Sequence, residues 1–586
     1  MKNVLLPFFL FLLLPITAPA QQPGTEALIA TVKRLDASGE HSKAIELLKK
    51  AIAVSPNNPA LHFNYGLLTF QAGDYQEAVS GFRKTSELLP DSATARTLLC
   101  RALWKDSQTS EALVQCGRAS ELDSNDPEPE ALLVVIKSDS GIDKDSLISK
   151  MESLLEGFPD NNPLLLLAAE FFQKIDVNRS IELFQRLMEK MPLEAEWPAR
   201  LATIYRIQEK VGEEIEMLRR IIEIKPSNFD ARMKLARAYE NIGAHPETIE
   251  TLESALEIDE RSSSAHHLMG STLLKIGRIP EAVEHLRHAV DLAPEDVGIR
   301  FEYGRALISY SKYELAVEQF QNLYRSRPND IAVIGNLGLT LVESARYLEA
   351  ITILQKADSM DPGNDGITQL LRVARGRYEG LSRLDSLIQE VEKNPKNSRA
   401  LMDVVMTLAF ARRLDEAKPF IEKFWESNPT EKRHYQIVAI ALATAGDLEN
   451  AKRALKASLA LEENPGAYFN LADLYKKQGK SKEAIEAFEN GFRLFPNAGG
   501  FRQKYGDFLF EQARYQESYQ QFKKSLEIDS SNIIVIASAG FLAVRLGLLD
   551  EAEVYLETLR ARDPNTAGRL ERCIRWKRFD LQRISN

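Results

Sequence analysis

At 586 residues the chain is too long for a single ordinary hydrophobic core, so it is either several domains or a repeat array. Its 44% apolar and 27% charged residues belong to a folded protein and exclude a disordered one. With 74 basic against 84 acidic residues, a net charge of −10 and no long basic run, nucleic acid is excluded as the expected partner.

The first residues differ from all that follow. Lys2 precedes the apolar run Val4 to Ile16, and Ala18-Pro19-Ala20 then supplies small residues ahead of Gln21, the pattern of a secretory signal peptide over residues 1–20. The run is interrupted by Pro7 and Pro15 and falls short of the roughly 20 residues a bilayer-spanning helix needs. No cysteine follows the small residues, so no lipid attachment is expected there. The expectation is an exported protein, periplasmic or secreted. Only three cysteines occur, so a disulfide framework does not hold such a chain together.

From Thr25 the chain repeats itself. Lines of 34 residues begin at 25, 59, 93, 127, 161, 195, 229, 263, 297, 331 and 365; two contractions to 33 then place starts at 398, 432, 465, 499 and 533. These sixteen units cover residues 25–566. Position 8 is small in most of them, as in Gly66, Cys100, Ala236, Gly304 and Gly506, and position 20 is usually alanine, as in Ala44, Ala78, Ala282, Ala316 and Ala484. Position 24 is large and apolar, as in Phe82, Phe184, Leu286, Phe320 and Phe522. Position 32 is proline in units such as Pro56, Pro90, Pro294, Pro328 and Pro496.

These columns predict a pair of antiparallel helices per unit. Helices approach closely only where side chains are small, which assigns positions 8 and 20 to the contact. In "QAGDYQEAV" Gly73 can end the first helix in a left-handed conformation, Asp74 can cap the second, and Glu77 stands where a capping-box partner would. Gly39, Gly243, Gly277, Gly446 and Gly479 occupy the same slot as Gly73. The proline at position 32 cannot continue the second helix, so each hairpin ends there.

The columns resemble the tetratricopeptide repeat family over essentially the whole of residues 25–566. The best-preserved unit is "NLADLYKKQGKSKEAIEAFENGFRLFPNA", with Leu471, Ala472, Tyr475, Gly479, Ala484, Phe488 and Pro496 in family positions. The resemblance implies an all-α, right-handed superhelical solenoid of about sixteen helix hairpins, the first helix of each lining a concave groove. The fourth unit departs from the pattern with Val134 and Lys150 at positions 8 and 24, and the eleventh with Arg372 and Leu384 at positions 8 and 20. Both are expected to be irregular. Residues 567–586 read as a closing helix, with Leu570, Ile574, Leu581 and Ile584 on its apolar side and a basic opposite side. Any membrane contact is expected through that basic side alone.

Four of the eight histidines fall between Ser263 and Leu292. His266 and His267 are positions 4 and 5 of one helix, His285 and His288 positions 23 and 26 of the next; the family geometry sends position 5 towards the groove and position 26 towards the outer wall, which implies that the four rings do not converge and that no metal is held there. "QGKSKEAI" lacks the first glycine of a phosphate-binding loop and follows a helix, so no nucleotide site is expected. No HExxH, GxSxG or calcium-loop pattern occurs, and neither a cofactor nor a catalytic residue is expected. Cys100 and Cys116 face one seam at positions 8 and 24; a disulfide is open to them if their Cα atoms lie within about 7 Å, and two buried small hydrophobes are the favoured alternative.

In the family, positions 2, 5, 6, 9, 12 and 13 of the first helix face extended peptides. That carries over here to Phe63, Asn64, Leu67 and Phe70 of unit 2, to Lys234, Arg237 and Glu240 of unit 7, and to Asn336 of unit 10. In unit 14 it carries over to Phe469, Asn470, Asp473, Lys476 and Lys477. The asparagines at position 6 resemble those that grip peptide backbone in some members. They stand alone, and no unit pairs Lys at 5 with Asn at 9, so no known ligand class transfers. The resulting expectation is a non-enzymatic scaffold that binds protein or peptide segments. A part in an envelope polysaccharide export or secretion apparatus, and a non-catalytic subunit of an enzyme complex, are the two alternatives.

Overall fold

A computed structural model of the protein describes residues 25–139 and 144–585, with side chains to residue 582. The segment read as a signal peptide lies outside the described residues. Among those described, 81% of the chain is helical, in 33 helices with no strands. They run as consecutive pairs closed by Pro564–Ser585, and most helices pack against their neighbours in chain order. No helix among the described residues is long and apolar enough to cross a membrane.

The second unit shows why the hairpins form. Its first helix, Pro59–Gln71, begins with proline at a position where the missing N–H costs nothing, and the Asn58 side chain accepts from the Ala60 N–H. Gly73 then takes φ +79° and turns the chain. The Asp74 carboxylate accepts from the Glu77 N–H and starts the second helix, Tyr75–Leu88. Glu77 does not close the capping box as read from the sequence; its carboxylate instead accepts the Tyr65 hydroxyl at 2.7 Å, tying the second helix back to the first. Gly39, Gly243, Gly277, Gly446 and Gly479 take positive φ in the same slot, and so do Ser107, Glu209, Ser311, Ala345, Arg412 and Ala513. The slot imposes the conformation whether or not glycine fills it.

The seam between paired helices is built chiefly by positions 8 and 24. A methyl group on Gly66 would stand 2.7 Å from the Phe82 ring, on Gly304 2.8 Å from Phe320, and on Gly270 2.6 Å from Leu286. The small residue therefore makes room for the large side chain as well as for the opposing backbone. In the third unit the same two positions carry Cys100 and Cys116, whose Cα atoms are 5.4 Å apart and whose sulfurs are bonded. The reading of two unbridged buried cysteines is thereby corrected. Only this unit fills both positions with cysteine.

The eleventh unit is irregular, its first helix extended to Asp365–Ser382 and its second shortened to Leu384–Lys393. In the fourth, helices of ordinary length, Glu128–Asp139 and Lys144–Gly157, flank residues outside the description. The closing helix buries Leu570 and Ile574, together with Ala567, Cys573 and Trp576. Leu581 is 39% exposed and does not share the buried side expected of it, and the Ile584 side chain lies outside the description. Two compact bodies divide the chain, one running to Glu209 with Glu216–Pro226, the other Lys210–Ile215 with Ser227 onward.

Candidate binding surfaces

The residues expected to face a groove divide into two sets. Phe63, Leu67 and Phe70 of unit 2 are only 4–5% exposed and Asn64 is also buried, so none of them offers a free surface as expected. The Phe63 ring meets Phe82 edge to face, Phe70 meets Tyr75, and the Asn64 amide donates to the Ala60 carbonyl at 2.7 Å. Phe469 of unit 14 is likewise buried, stacked on Phe501 of the next unit at 3.6 Å. Large apolar side chains at these positions are drawn into packing, which removes them as ligand contacts.

The polar members remain accessible. Lys234 is exposed and pairs with Asp230 of its own helix at 2.5 Å, and Arg237 is exposed beside it. Asn336 is half-buried and spends its amide on the Ala332 carbonyl. In unit 14 Asn470 and Asp473 are partly exposed, and Lys476 and Lys477 are exposed. Asp473 lies 3.9 Å from Lys504 and Lys476 pairs with Glu511 at 2.7 Å, both partners belonging to unit 15. Exposed pairs of this kind are worth about 0–1 kcal/mol, so an incoming charged or hydrogen-bonding segment can exchange with them at little cost.

The second body also closes on itself. The turn of unit 8 comes so near unit 15 that a methyl group on Gly277 would stand 2.8 Å from Glu511 Cγ. Trp576 of the closing helix meets Tyr239 of unit 7 edge to face at 6.2 Å. Between these contacts lies a cavity of about 830 Å³. One wall carries Glu247, Glu250 and Glu253 along a single helix face; the other carries Asp507, Phe510, Phe541 and Trp576. Asp507 opens into this space, and burial together with the neighbouring Glu511 raises its pKa to about 6 against the pull of Lys476. Arg545 lies over the Tyr515 ring at 4.1 Å and Arg569 over Phe541 at 5.7 Å, both on the cavity wall. No periodic signal in the sequence marks this cavity, because its walls come from units 7 and 8 on one side and from units 15 and 16 and the closing helix on the other.

The histidines correct a second expectation. His266 Nδ1 lies 3.0 Å from His285 Nδ1, and the His266 ring centroid lies 5.2 Å from those of both His285 and His288. Three of the four rings therefore gather, and only His267 turns away, to Glu302 at 3.0 Å. Position 26 faces the same seam edge as positions 4 and 23, which is why the rings meet. Among the described residues no three His, Cys, Asp or Glu side chains are placed to hold a metal ion.

The same two positions recur in a form missed in the sequence. Arg96, Arg300 and Arg502, at position 4 of units 3, 9 and 15, donate to the carbonyls of Pro90, Pro294 and Pro496 in the preceding loop. Each also donates to a glutamine at position 23, namely Gln115, Gln319 and Gln521, at 2.9–3.1 Å. The joint occurrence of Arg at 4 and Gln at 23 is the signal that would have found this clasp.

A family profile described as tetratricopeptide repeat protein 21 second ARM domain matches residues 41–276. Tetratricopeptide repeat profiles match residues 267–331, 331–364 and 465–498. Among solved structures, YrrB, titled a TPR protein with an unusual peptide-binding site, is 20% identical over 32% of this chain and 97% of its own, with a TM-score of 0.30. The Naa15/Naa10 structure bound to HypK-THB is 13% identical over 89% of this chain and 96% of its own, also at a TM-score of 0.30. The Cut9–Hcn1 hetero-tetramer of the APC/C is 13% identical over 89% and 96%, at a TM-score of 0.26. No curated protein sequence matches the chain.

Proposed function

From the premise that this chain belongs to the tetratricopeptide repeat proteins, we propose that it is a non-enzymatic scaffold that binds protein or peptide segments along its first helices, in an exported compartment. The observation that carries the reading is the contrast within the expected groove positions. The large apolar members are consumed by packing, while Lys234, Arg237, Asn470, Asp473, Lys476 and Lys477 stay open, held by exposed pairs at most. A surface of this kind binds by many modest polar contacts spread over several units, which suits an extended segment more than a small molecule. Export rests on the reading of residues 1–20 and on nothing else.

The test is crosslinked capture from the native host with the full chain and with two variants, K234A/R237A and K476A/K477A. Recovery of the same protein partners by the full chain, with loss from one variant and an unchanged circular dichroism spectrum, is the expected result. Equal recovery by all three, or turnover of a substrate by the purified chain alone, would overturn the binding reading. Fractionation of the host tests the compartment separately, and a chain that keeps residues 1–20 in the cytoplasm would refute export.

A further inference from the structure

The eighth unit replaces the arginine–glutamine clasp with imidazoles. His266 stands at position 4, where Arg96, Arg300 and Arg502 stand, and its Nε2 lies 3.1 Å from the carbonyl of Glu260, the counterpart of the proline carbonyls in those units. His285 stands at position 23, where Gln115, Gln319 and Gln521 stand. A carbonyl only accepts, so His266 Nε2 carries the hydrogen; in the neutral ring Nδ1 then presents a lone pair, and His285 Nδ1–H donates to it across 3.0 Å. If both rings take a proton, two N–H groups face one another at that distance and the link is lost. His288, whose ring lies 5.2 Å from His266, adds a third imidazole, and Glu284, one turn before it on the same helix, faces His288 and His285.

The surroundings offer the cluster little relief. On the same helix Glu281 is held by Arg278 and Glu284 by Arg287 at 3.0 Å. From the preceding hairpin, Glu253 acts on Arg278, and Glu260 contributes its backbone carbonyl. From the following hairpin, Glu302 is held by His267, and Glu318 lies near Tyr303; on the histidine helix itself Asp291 pairs with Arg287 at 3.6 Å. Arg278 lies near His285 and opposes a charge on it, and Glu281 favours one.

We infer that the His266–His285 pair is a proton-operated clasp: neutral, it links the two helices of unit 8, the first of which is held to the preceding loop by His266 Nε2–H on the Glu260 carbonyl, and on acidification the link between the helices is lost. The consequence reaches the cavity, because Ile276 and Arg278 in the turn of the same hairpin form part of its wall, and Gly277 abuts Glu511 of unit 15. Acid therefore loosens the place where the second body closes on itself. Burial first, and then for His285 the charges of His266 and His288, hold the pKa values of His266 and His285 below the ordinary 6.5. With folded-state values depressed, the neutral form is the one folding favours. The clasp's contribution is complete above pH 6.5 and is lost as the pH falls from there through the lower folded-state values. His267, raised by its hydrogen bond to Glu302, acts in the opposite sense and is left in place in the test.

The test is hydrogen exchange of the full chain, corrected for the intrinsic pH dependence of exchange, at about pH 7.5 and about pH 5. It is compared with the variant H266R/H285Q, which installs the pattern of units 3, 9 and 15. Protection of the amides from Glu260 through Leu292 is expected to fall about tenfold in the natural chain on acidification and less than about twofold in the variant. Should H266R/H285Q fail to fold, H266Q/H285Q, which removes both rings of the linked pair, is held to the same expectation. An equal loss of protection in the natural chain and the variant, or no loss in the natural chain, would overturn the inference. Neither outcome bears on whether the open first-helix positions bind a partner.

Discussion

The ring of Phe522 lies directly on the backbone of Gly506, so near that a methyl group on the glycine would stand 2.6 Å from Phe522 Cε1. Gly506→Ala should therefore destabilise the protein by about 1–3 kcal/mol, although alanine is the better helix former by about 1 kcal/mol. The pairing of Ala236 with Leu252 at the same two positions of unit 7 indicates the remedy, and G506A/F522L should recover most of the loss. Denaturant midpoints of the three proteins check this; a neutral G506A would mean that the seam is looser than it stands here.

The Cys100–Cys116 bond spans 16 residues of chain and joins the two helices of one hairpin. Its reduction, or C100A/C116A, is expected to cost about 3 kcal/mol through the freedom regained by the unfolded chain. Intact mass after alkylation, with and without reductant, should show two thiols masked in the oxidised protein and Cys573 as the third, buried one. Thermal midpoints under the same two conditions give the size of the effect.

Glu240 accepts from Thr272 at 3.0 Å and from His245 at 3.3 Å, and is paired with Lys275, a knot that joins three successive helices. Burial works against its charge, but the hydrogen bonds and charges of His245 and Lys275 outweigh it and bring the pKa down to about 2 from 4.5. A depressed carboxylate stabilises the fold fully above its ordinary pKa and ceases to do so as the pH falls from 4.5 towards 2. The amount is on the order of 3 kcal/mol. E240Q should lower stability at neutral pH and flatten the acid limb of the stability profile, as measured by denaturation at a series of pH values.

Ser311 holds φ at +58° in the turn slot that glycine fills elsewhere. A side chain in that conformation costs about 1–2 kcal/mol, and the extra freedom of glycine in the unfolded chain takes back about 0.4–1 kcal/mol. Ser311→Gly is expected to stabilise by about 0.5–1 kcal/mol. The converse change Gly73→Ala, at φ +79°, should cost about 1 kcal/mol. Denaturation midpoints of both variants decide the sign.

The hairpins were legible because every feature that builds one lies within a single unit. The turn at Gly73, the cap at Asp74 and the seam of Gly66 with Phe82 involve residues close in sequence, so selection for them repeats at a fixed period and shows as columns. The clasp of Arg300 with Gln319 is equally local, but it shows only as the joint occurrence of two residue types 19 positions apart and not as a column of its own.

What each first helix presents outward was not legible in the same way. Phe63 and Phe469 occupy positions that the repeat register assigns to a groove, and both are buried, Phe469 by an aromatic stack with the next unit. The meeting of Trp576 with Tyr239 and of Gly277 with Glu511 depends on the small rotation between successive units accumulating over many of them. The sequence alone thus determined the repeating hairpin, through contacts between near neighbours in the chain. Only the tertiary structure decided which surfaces remain open, because rings such as Phe501 cover them from the next unit, and where the second body meets itself, because those contacts join units hundreds of residues apart and leave no period behind.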